Sequence, residues 1–193
     1  MQTKPLWEET RDLHHACEAH AVGGAMSTGN PPPLWYASWL QALHQIHLAI
    51  DSGVPDNVRR VERIEEDLVA LNIGIEPFDA AKEYIKTLDN EKSLAGAIYV
   101  LTGAHLMGGE IMRRRLEGFP TKHLEWDDRK SSLAFLQTYR IRDDITLEAR
   151  ACFQALLDIM DEIEARYPLN LIQENTVDEI PSDTIDNISS TTQ

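Results

Sequence analysis

Helical periodicity runs along almost the whole chain and constrains the fold more than any other feature. Val58, Val61, Ile64, Leu68 and Leu71, for example, recur at the spacing of one helix face. Strand signals are nearly absent, since no Val/Ile/Thr alternation is bounded by Asn-Gly or Asp-Gly turns. We therefore expect an all-α, single-domain multi-helix bundle over residues 1–168. Its predicted helices cover about residues 5–21, 34–51, 56–71, 78–88, 91–117, 124–140 and 146–167.

Composition narrows the class of function. One domain is the default for 193 residues. The net charge of −14 disfavours nucleic acid and anionic membrane surfaces as partners. The sequence lacks the apolar run that a membrane span needs, and residues 1–10 lack the apolar stretch of a secretory signal. Cys17 and Cys152 form no disulfide framework and suit buried thiols of a reducing compartment, which predicts a cytoplasmic protein.

The C-terminal segment, residues 169–193, differs from the rest of the chain. From Asn170 onward it is acidic, contains no Lys or Arg, and has few large apolar residues. Such a segment buries too little apolar surface to offset the entropy of ordering. We expect a disordered acidic tail, with an interaction tail as the alternative.

Residues 99–110 read as a helix that contains three glycines. Each glycine in a helix interior costs about 0.5–1 kcal/mol relative to alanine, so the glycines need a reason. Gly108 and Gly109 remove two adjacent side chains from one wall, and His105 lies three residues earlier on nearly the same face. A bare wall beside an imidazole predicts a cover for a planar metallo-ligand. A close helix–helix crossing is the alternative.

His14 and Glu18 are four residues apart on the first predicted helix and share a face. An imidazole with a carboxylate one turn away suits an axial ligand to a heme iron, with the carboxylate orienting the ring. Surface histidines without a ligand role are the alternative. His44 and His47 give a weaker metal signal. The chain has no H-E-x-x-H, Cys-x-x-Cys, P-loop, dinucleotide-binding or serine-elbow motif.

Basic residues gather at few places. Arg113 begins a run of three arginines after the glycine pair, Arg140 and Arg142 precede the last core helix, and Arg11 lies near His14. These side chains would hold an anionic ligand through charge-assisted hydrogen bonds. The run that begins at Arg113 also offsets the negative end of a helix macrodipole, and both roles are compatible.

The first helix resembles that of heme oxygenases. The family pattern L-K-E-A-T-K-E-V-H-x-x-A-E aligns without a gap with L-W-E-E-T-R-D-L-H-H-A-C-E over residues 6–18. The histidine of the pattern is the proximal iron ligand, and it falls on His14. The propionate-pairing lysine is Trp7 here, so the resemblance implies that an anionic clamp comes from Arg11, Arg140 or the run of three arginines.

Three further segments extend the resemblance over roughly residues 5–167. The family's distal helix, Y-x-x-x-L-G-D-L-S-G-G-Q, is similar to the segment from Tyr99 that contains Gly108 and Gly109. The family's E-A-K-x-x-F resembles the six residues that end in Phe153. The family's Tyr-Arg-x-Arg, whose first arginine meets a heme propionate, places Arg140 at that contact.

The distal segment departs from the family at its aspartate, which holds a proton-donating water network and is His105 here. An imidazole could relay protons there, or reach the iron and give a bis-histidine heme that blocks oxygen. A second register, anchored on Gly103, would put Ala104 at the polar position and Met107 where a glycine should face the heme. The first register is favoured because it needs no gap and keeps the methionine away from the porphyrin.

The resemblance implies an enzyme for which heme is both substrate and cofactor. Such an enzyme converts heme to biliverdin, carbon monoxide and iron, using oxygen and electrons from a reductase or ferredoxin partner. Its protein part supplies the axial nitrogen, a dry pocket, orientation and a proton path.

Two alternatives stay open. One is a non-catalytic heme- or tetrapyrrole-binding relative with bis-histidine ligation through His105. The other is a member of the same fold without heme. A thiaminase-like enzyme would need a reactive cysteine, whereas Cys152 looks like a packing residue. A di-iron enzyme would draw on inward carboxylates and histidines, although the candidates fit no clear ligand spacing: Glu62, Glu65, Glu66, His44, His47 and Glu110.

Overall fold

The computed structural model describes residues 5–74 and 76–174, and within these ranges the regular structure is entirely helical. A π-helical turn, Ala104–Gly108, joins α6 to α7, and single 3-10 turns lie at Asp51–Gly53 and Lys122–Leu124. The α-helices of these ranges are α1 (Leu6–Ala19), α2 (Ala21–Thr28), α3 (Pro33–Ile50), α4 (Val61–Ala70), α5 (Asp79–Lys86), α6 (Glu91–Gly103), α7 (Gly109–Arg115), α8 (Arg129–Arg140), α9 (Thr146–Arg166) and α10 (Leu169–Glu174). The all-α prediction is confirmed.

Helix α9 is the central helix of the bundle. Five helices pack against it: α1, α2, α3, α5 and α6. The α6 crossing is so close that a Cβ added to Gly96 would lie 2.6 Å from the backbone carbonyl carbon of Glu148. A glycine therefore allows the tightest approach between these two helices.

Helix α3 is buried on most faces, as its apolar composition predicts. Pro33 occupies its first turn, where the missing N–H of proline costs nothing. Its polar side chains are drawn into the core, and His44 and His47 are 4% and 2% exposed. Buried imidazoles need hydrogen-bond partners, which α3 finds on neighbouring segments.

Some predicted boundaries were wrong. The first predicted helix breaks at His20, whose backbone is extended and whose Nδ1 accepts a hydrogen bond from the Val22 N–H. The predicted loop that follows is helix α2. Gly23 lies in that helix, close to the backbone of α1. A Cβ there would lie 1.9 Å from the Cys17 carbonyl oxygen, so only glycine fits this position. The predicted helices at 56 and 124 begin later, at Val61 and Arg129.

Two other segments bear on the predicted organisation. Residues 91–115 are long and apolar enough to cross a membrane, but 61% of their most apolar stretch of 18 residues is buried in the protein, as in a core helix. The segment predicted to be an acidic tail begins with α10, and residues 175–193 lie outside the described ranges.

Candidate functional site

Helices α1 and α9 run in the same direction. The Arg150 guanidinium donates to the Asp12 carboxylate at 2.7 Å, and further along both helices the His20 ring lies 3.1 Å from the Asp161 carboxylate. Later residues of α1 therefore contact later residues of α9, as expected for helices that run in the same direction.

Helix α6 also runs in this direction. Its first residue, Glu91, accepts a hydrogen bond from Arg142, which lies just before α9. One turn further on, Gly96 packs against Glu148. Helices α1 and α6 are consequently parallel to one another.

The two parallel helices meet where the Tyr99 hydroxyl lies against the Thr10 side chain. Thr10 is buried and donates to the Leu6 carbonyl at 3.0 Å. His14 lies four residues beyond Thr10, and Gly103 lies four residues beyond Tyr99. Because the helices are parallel, both residues lie one turn past the contact, on the same side of it.

His14 is presented to solvent at this position, with 52% of its side chain exposed. Its Nδ1 lies 3.6 Å from a carboxylate oxygen of Glu18, which leaves Nε2 as the nitrogen free for a ligand. The ring of Phe153, on α9, meets the His14 ring edge-on, with centroids 5.9 Å apart. The imidazole is thus accessible to solvent, and the Phe153 ring packs against it.

The π turn has an open side on which Gly103 and Gly108 contribute no side chain. A Cβ added to Gly103 or Gly108 would meet no heavy atom within 4 Å. Ala104 and Met107 are exposed on the same turn. Gly103 and Gly108 are five residues apart, and a π turn brings residues at that spacing onto one side. The two glycines therefore open the helix backbone to a ligand at this turn. The expectation that Met107 lies away from this side was wrong, because Met107 is 54% exposed beside the glycines.

The predicted pairing of Gly108 with Gly109 was wrong. Gly109 is buried, and a Cβ there would lie 3.3 Å from the Leu124 side chain. It serves the close packing that the sequence left as an alternative. The assumption of an α-helical period caused the error, because the π turn shifts the open side by one residue.

His105 lies on the buried side of the π turn and not on the open side that was expected. It is 6% exposed and stacks on His47, with centroids 5.4 Å apart and planes 20° apart. Its other neighbour is His123, at 5.7 Å. The Nδ1 atom of His105 has no hydrogen-bond partner among the described residues. Burial, with His47, His123 and Arg60 nearby, holds the pKa of His105 well below its ordinary value.

His47, His105 and His123 form a histidine cluster. Two aspartates hold two of its members, His47 and His123. The Nδ1 atom of His47 lies 3.0 Å from Asp51 Oδ1, and that of His123 lies 2.6 Å from Asp67 Oδ2. Burial lowers the pKa of His47, although its hydrogen bond to Asp51 opposes the shift. Burial therefore favours the neutral form of His47 and His105 behind the π turn.

The predicted anion-binding arginines divide into two groups. Arg142 is engaged by Glu91 and Asp144, and Arg113 is paired with Glu110 on its own helix. Both are already committed to carboxylates.

Arg140 and Arg11 are less committed. Arg140 is half-buried, and its charge opposes the burial that raises the pKa of Tyr99. Arg11 is exposed and lines an open cavity of about 500 Å³ together with His15 and Arg150. Neither Arg140 nor Arg11 forms an ion pair within the described ranges.

The heme-free alternatives find little support in the geometry. Cys152 is fully buried, and burial raises the pKa of its thiol to about 12, which makes it a poor nucleophile. The suggested di-iron ligands are dispersed: Glu65 meets His44, whereas Glu110 pairs with arginines on α7.

Sequence reasoning missed two supporting residues. Thr10 joins α1 to Tyr99, and its position one turn before His14 was the available signal. Arg129 donates to the Leu106 carbonyl at 2.8 Å and so satisfies a backbone group inside the π turn. No local pattern indicates that second contact, because the two residues lie on different helical segments.

Comparison with known proteins gives the same fold. No family model and no curated protein sequence matches this chain. Among solved structures, the heme oxygenase from Leptospira interrogans aligns with a TM-score of 0.70 at 21% identity, covering 81% of this chain and 97% of that one. Heme oxygenase-1 from the cyanobacterium Synechocystis sp. PCC6803, in complex with heme, gives 0.73 at 18% identity and covers 89% and 97%.

A third structure agrees with these two. Heme oxygenase-2 from Synechocystis sp. PCC 6803, in complex with heme and NO, gives a TM-score of 0.68 at 19% identity and covers 91% of this chain and 92% of that one. The fold of this protein is heme oxygenase-like, and that prediction is confirmed.

Proposed function

We propose that the protein binds heme between α1 and the π turn and degrades it to biliverdin, carbon monoxide and iron. The observation that carries the proposal is the accessible imidazole of His14, one turn past the Thr10–Tyr99 contact and on the same side as Gly103. The heme oxygenase-like fold supports it further.

The residues around this position fit a tetrapyrrole. His14 would bind the iron through Nε2, while the Glu18 carboxylate lies 3.6 Å from Nδ1 and Phe153 limits rotation of the ring. Gly103 and Gly108 leave room for a macrocycle against the backbone, with the exposed Met107 side chain beside it. Heme is substrate as well as cofactor in this proposal, and its iron supplies the oxygen chemistry.

Charge and partners follow from the same arrangement. Arg140 and Arg11 are the arginines left to hold the propionates, since Arg113 and Arg142 already have carboxylate partners. A reductase or ferredoxin would deliver electrons. The buried thiols Cys17 and Cys152 support a cytoplasmic location for this reaction.

A second candidate function is heme binding without catalysis. The titratable side chain within the π turn is His105, and it is buried on the side away from Gly103 and Gly108. A proton for oxygen chemistry would therefore have to come from water. The same burial argues against His105 as a second axial ligand, so this candidate is proposed with His14 as the protein ligand.

Hemin titration of the purified protein tests the shared step. We expect a shifted Soret band at one heme per chain and at least a tenfold loss of affinity, about 1.4 kcal/mol, in His14→Ala. His15→Ala, an exposed histidine on the same helix, is the matched control and should bind hemin as the wild type does. Equal affinity in the wild type and His14→Ala would refute the assignment of the ligand.

Turnover separates the two candidates. A reductant added under air should replace the Soret band with a biliverdin band if the protein degrades heme. A Soret band that persists through reduction and reoxidation would favour binding alone.

Bulk at the open side of the π turn should block heme and leave the fold intact. Gly108 has negative φ and open space around its missing Cβ, so Gly108→Phe should fold normally and bind hemin at least tenfold more weakly. Gly109→Ala is the contrasting variant. Its methyl group meets Leu124, so it should lower the unfolding midpoint and largely keep hemin affinity. The reverse pattern would show that Gly109, not Gly108, faces the ligand.

A further inference from the structure

One set of three metal-type donors comes together within the described ranges, and it lies on the surface of α1. His14, His15 and Glu18 each offer a ligand atom, and these atoms all lie within 4.8 Å of one another. The His14 and His15 rings meet edge-on with centroids 6.2 Å apart, and Glu18 lies 3.6 Å from His14.

The donor types indicate the class of ion. Two imidazoles and one carboxylate suit borderline transition ions such as Zn²⁺, whereas Mg²⁺ prefers oxygen ligands alone. Three protein donors leave further coordination positions for water, as in an open site.

The exposure and the few ion pairs of these three side chains are compatible with metal binding. All three are exposed, so they can adjust without repacking a core. Glu18 forms no ion pair in the described part of the chain other than that with His14. The nearest cation along the helix, Arg11, lines a cavity with His15, and acidic neighbours there offset its charge: Glu8, Glu9 and Asp12.

We propose that His14, His15 and Glu18 form a surface site for a divalent transition-metal ion. Because His14 is also the proposed heme ligand, a metal ion and heme exclude one another at this residue. That second step rests on the proposed function; the metal site itself does not.

Zinc titration of the heme-free protein, followed by calorimetry, tests the site. We expect one Zn²⁺ per chain with a Kd in the micromolar range, and at least tenfold weaker binding in both His15→Ala and Glu18→Ala. Mg²⁺ should not bind measurably. Full-strength zinc binding in His15→Ala would overturn the proposal and direct attention to the buried histidine cluster. His123→Ala is the control for that cluster and should keep the surface site.

Competition tests the exclusion. Zn²⁺ at saturating concentration should weaken hemin binding by the wild type and leave hemin binding by His15→Ala unchanged. Unaltered hemin binding in zinc-saturated wild type would overturn the shared-ligand claim. Failures of the two proposals are distinguishable: zinc binding without a Soret shift removes the heme function alone, and a Soret shift without zinc binding removes the metal site alone.

Discussion

Replacement of Asp67 by alanine is expected to lower the free energy of unfolding by about 3–5 kcal/mol. Asp67 is 1% exposed and accepts hydrogen bonds from the Lys122 N–H at 2.7 Å and the His123 N–H at 2.9 Å, besides its contact with the His123 ring. The alanine variant leaves these buried donors without an acceptor, and each would carry its own desolvation cost.

Urea unfolding measures this loss. Asp67→Asn should fall between the wild type and the alanine variant, since it keeps one carbonyl acceptor but turns an amide donor toward another donor. Glu66→Ala is the matched control: it removes an exposed carboxylate from the neighbouring position of α4 and should change stability by less than about 0.5 kcal/mol. A loss below about 1 kcal/mol in Asp67→Ala would show that the Lys122–Leu124 turn is held by other contacts.

Periodicity was enough to predict the all-α class, most of the helices and the buried character of α3, because these depend on the spacing of apolar residues. The heme oxygenase-like fold was predicted from the resemblance of the first-helix and distal-helix motifs to that family. The accessible position of His14 was also within reach, because α1 repeats the family's first-helix pattern without a gap.

The open side of the π turn could not be predicted correctly, because the helical period changes within this turn. A π turn has no simple sequence signature, and it moved the open side from the Gly108–Gly109 pair to Gly103 and Gly108. The same change of period places His105 on the buried side of the turn. An inference that assigns faces from one period fails at the residue where the period changes.

Long-range contacts limited the rest. Asp51 accepts hydrogen bonds from the backbone N–H groups of Arg60 and Val61, and Asp67 reaches residues 122 and 123, far along the chain. Arg142 was predicted to help hold an anionic ligand, whereas in the structure it donates to a carboxylate on α6, that of Glu91. Such pairings depend on which helices meet, and no local pattern specifies that.

Acidification from pH 7.5 to 5.5 is expected to lower the free energy of unfolding by up to about 3 kcal/mol through His47 and His105. Burial lowers the folded-state pKa of both His47 and His105. In the unfolded chain the same groups titrate near ~6.5. Below that pH the unfolded state binds protons that the folded state refuses, so stability falls by up to about 1.4 kcal/mol per pH unit for each group.

The charged groups around the cluster do not reverse this sign. Asp51 and Asp67 lie against His47 and His123, while the Arg60 guanidinium lowers the pKa of both His47 and His105. Burial would raise the pKa of Asp51, but hydrogen bonds from His47, Val61 and Arg60 lower it, so its stabilising contribution is lost only near or below pH 4. The histidine window near pH 6 is therefore separate from the carboxylate window.

Urea unfolding at several pH values, with a cluster variant, tests this account. His105→Phe keeps a stacked ring without a titratable nitrogen and should lose about half of the stability change between pH 6.5 and 5.5. His105→Leu guards against misfit of the larger ring and should show the same reduced slope. His15→Ala, which removes an exposed histidine, should keep the wild-type slope. A wild-type pH dependence in both His105 variants would mean that His105 accepts a proton in the folded protein as readily as in the unfolded chain, contrary to its burial between His47 and His123.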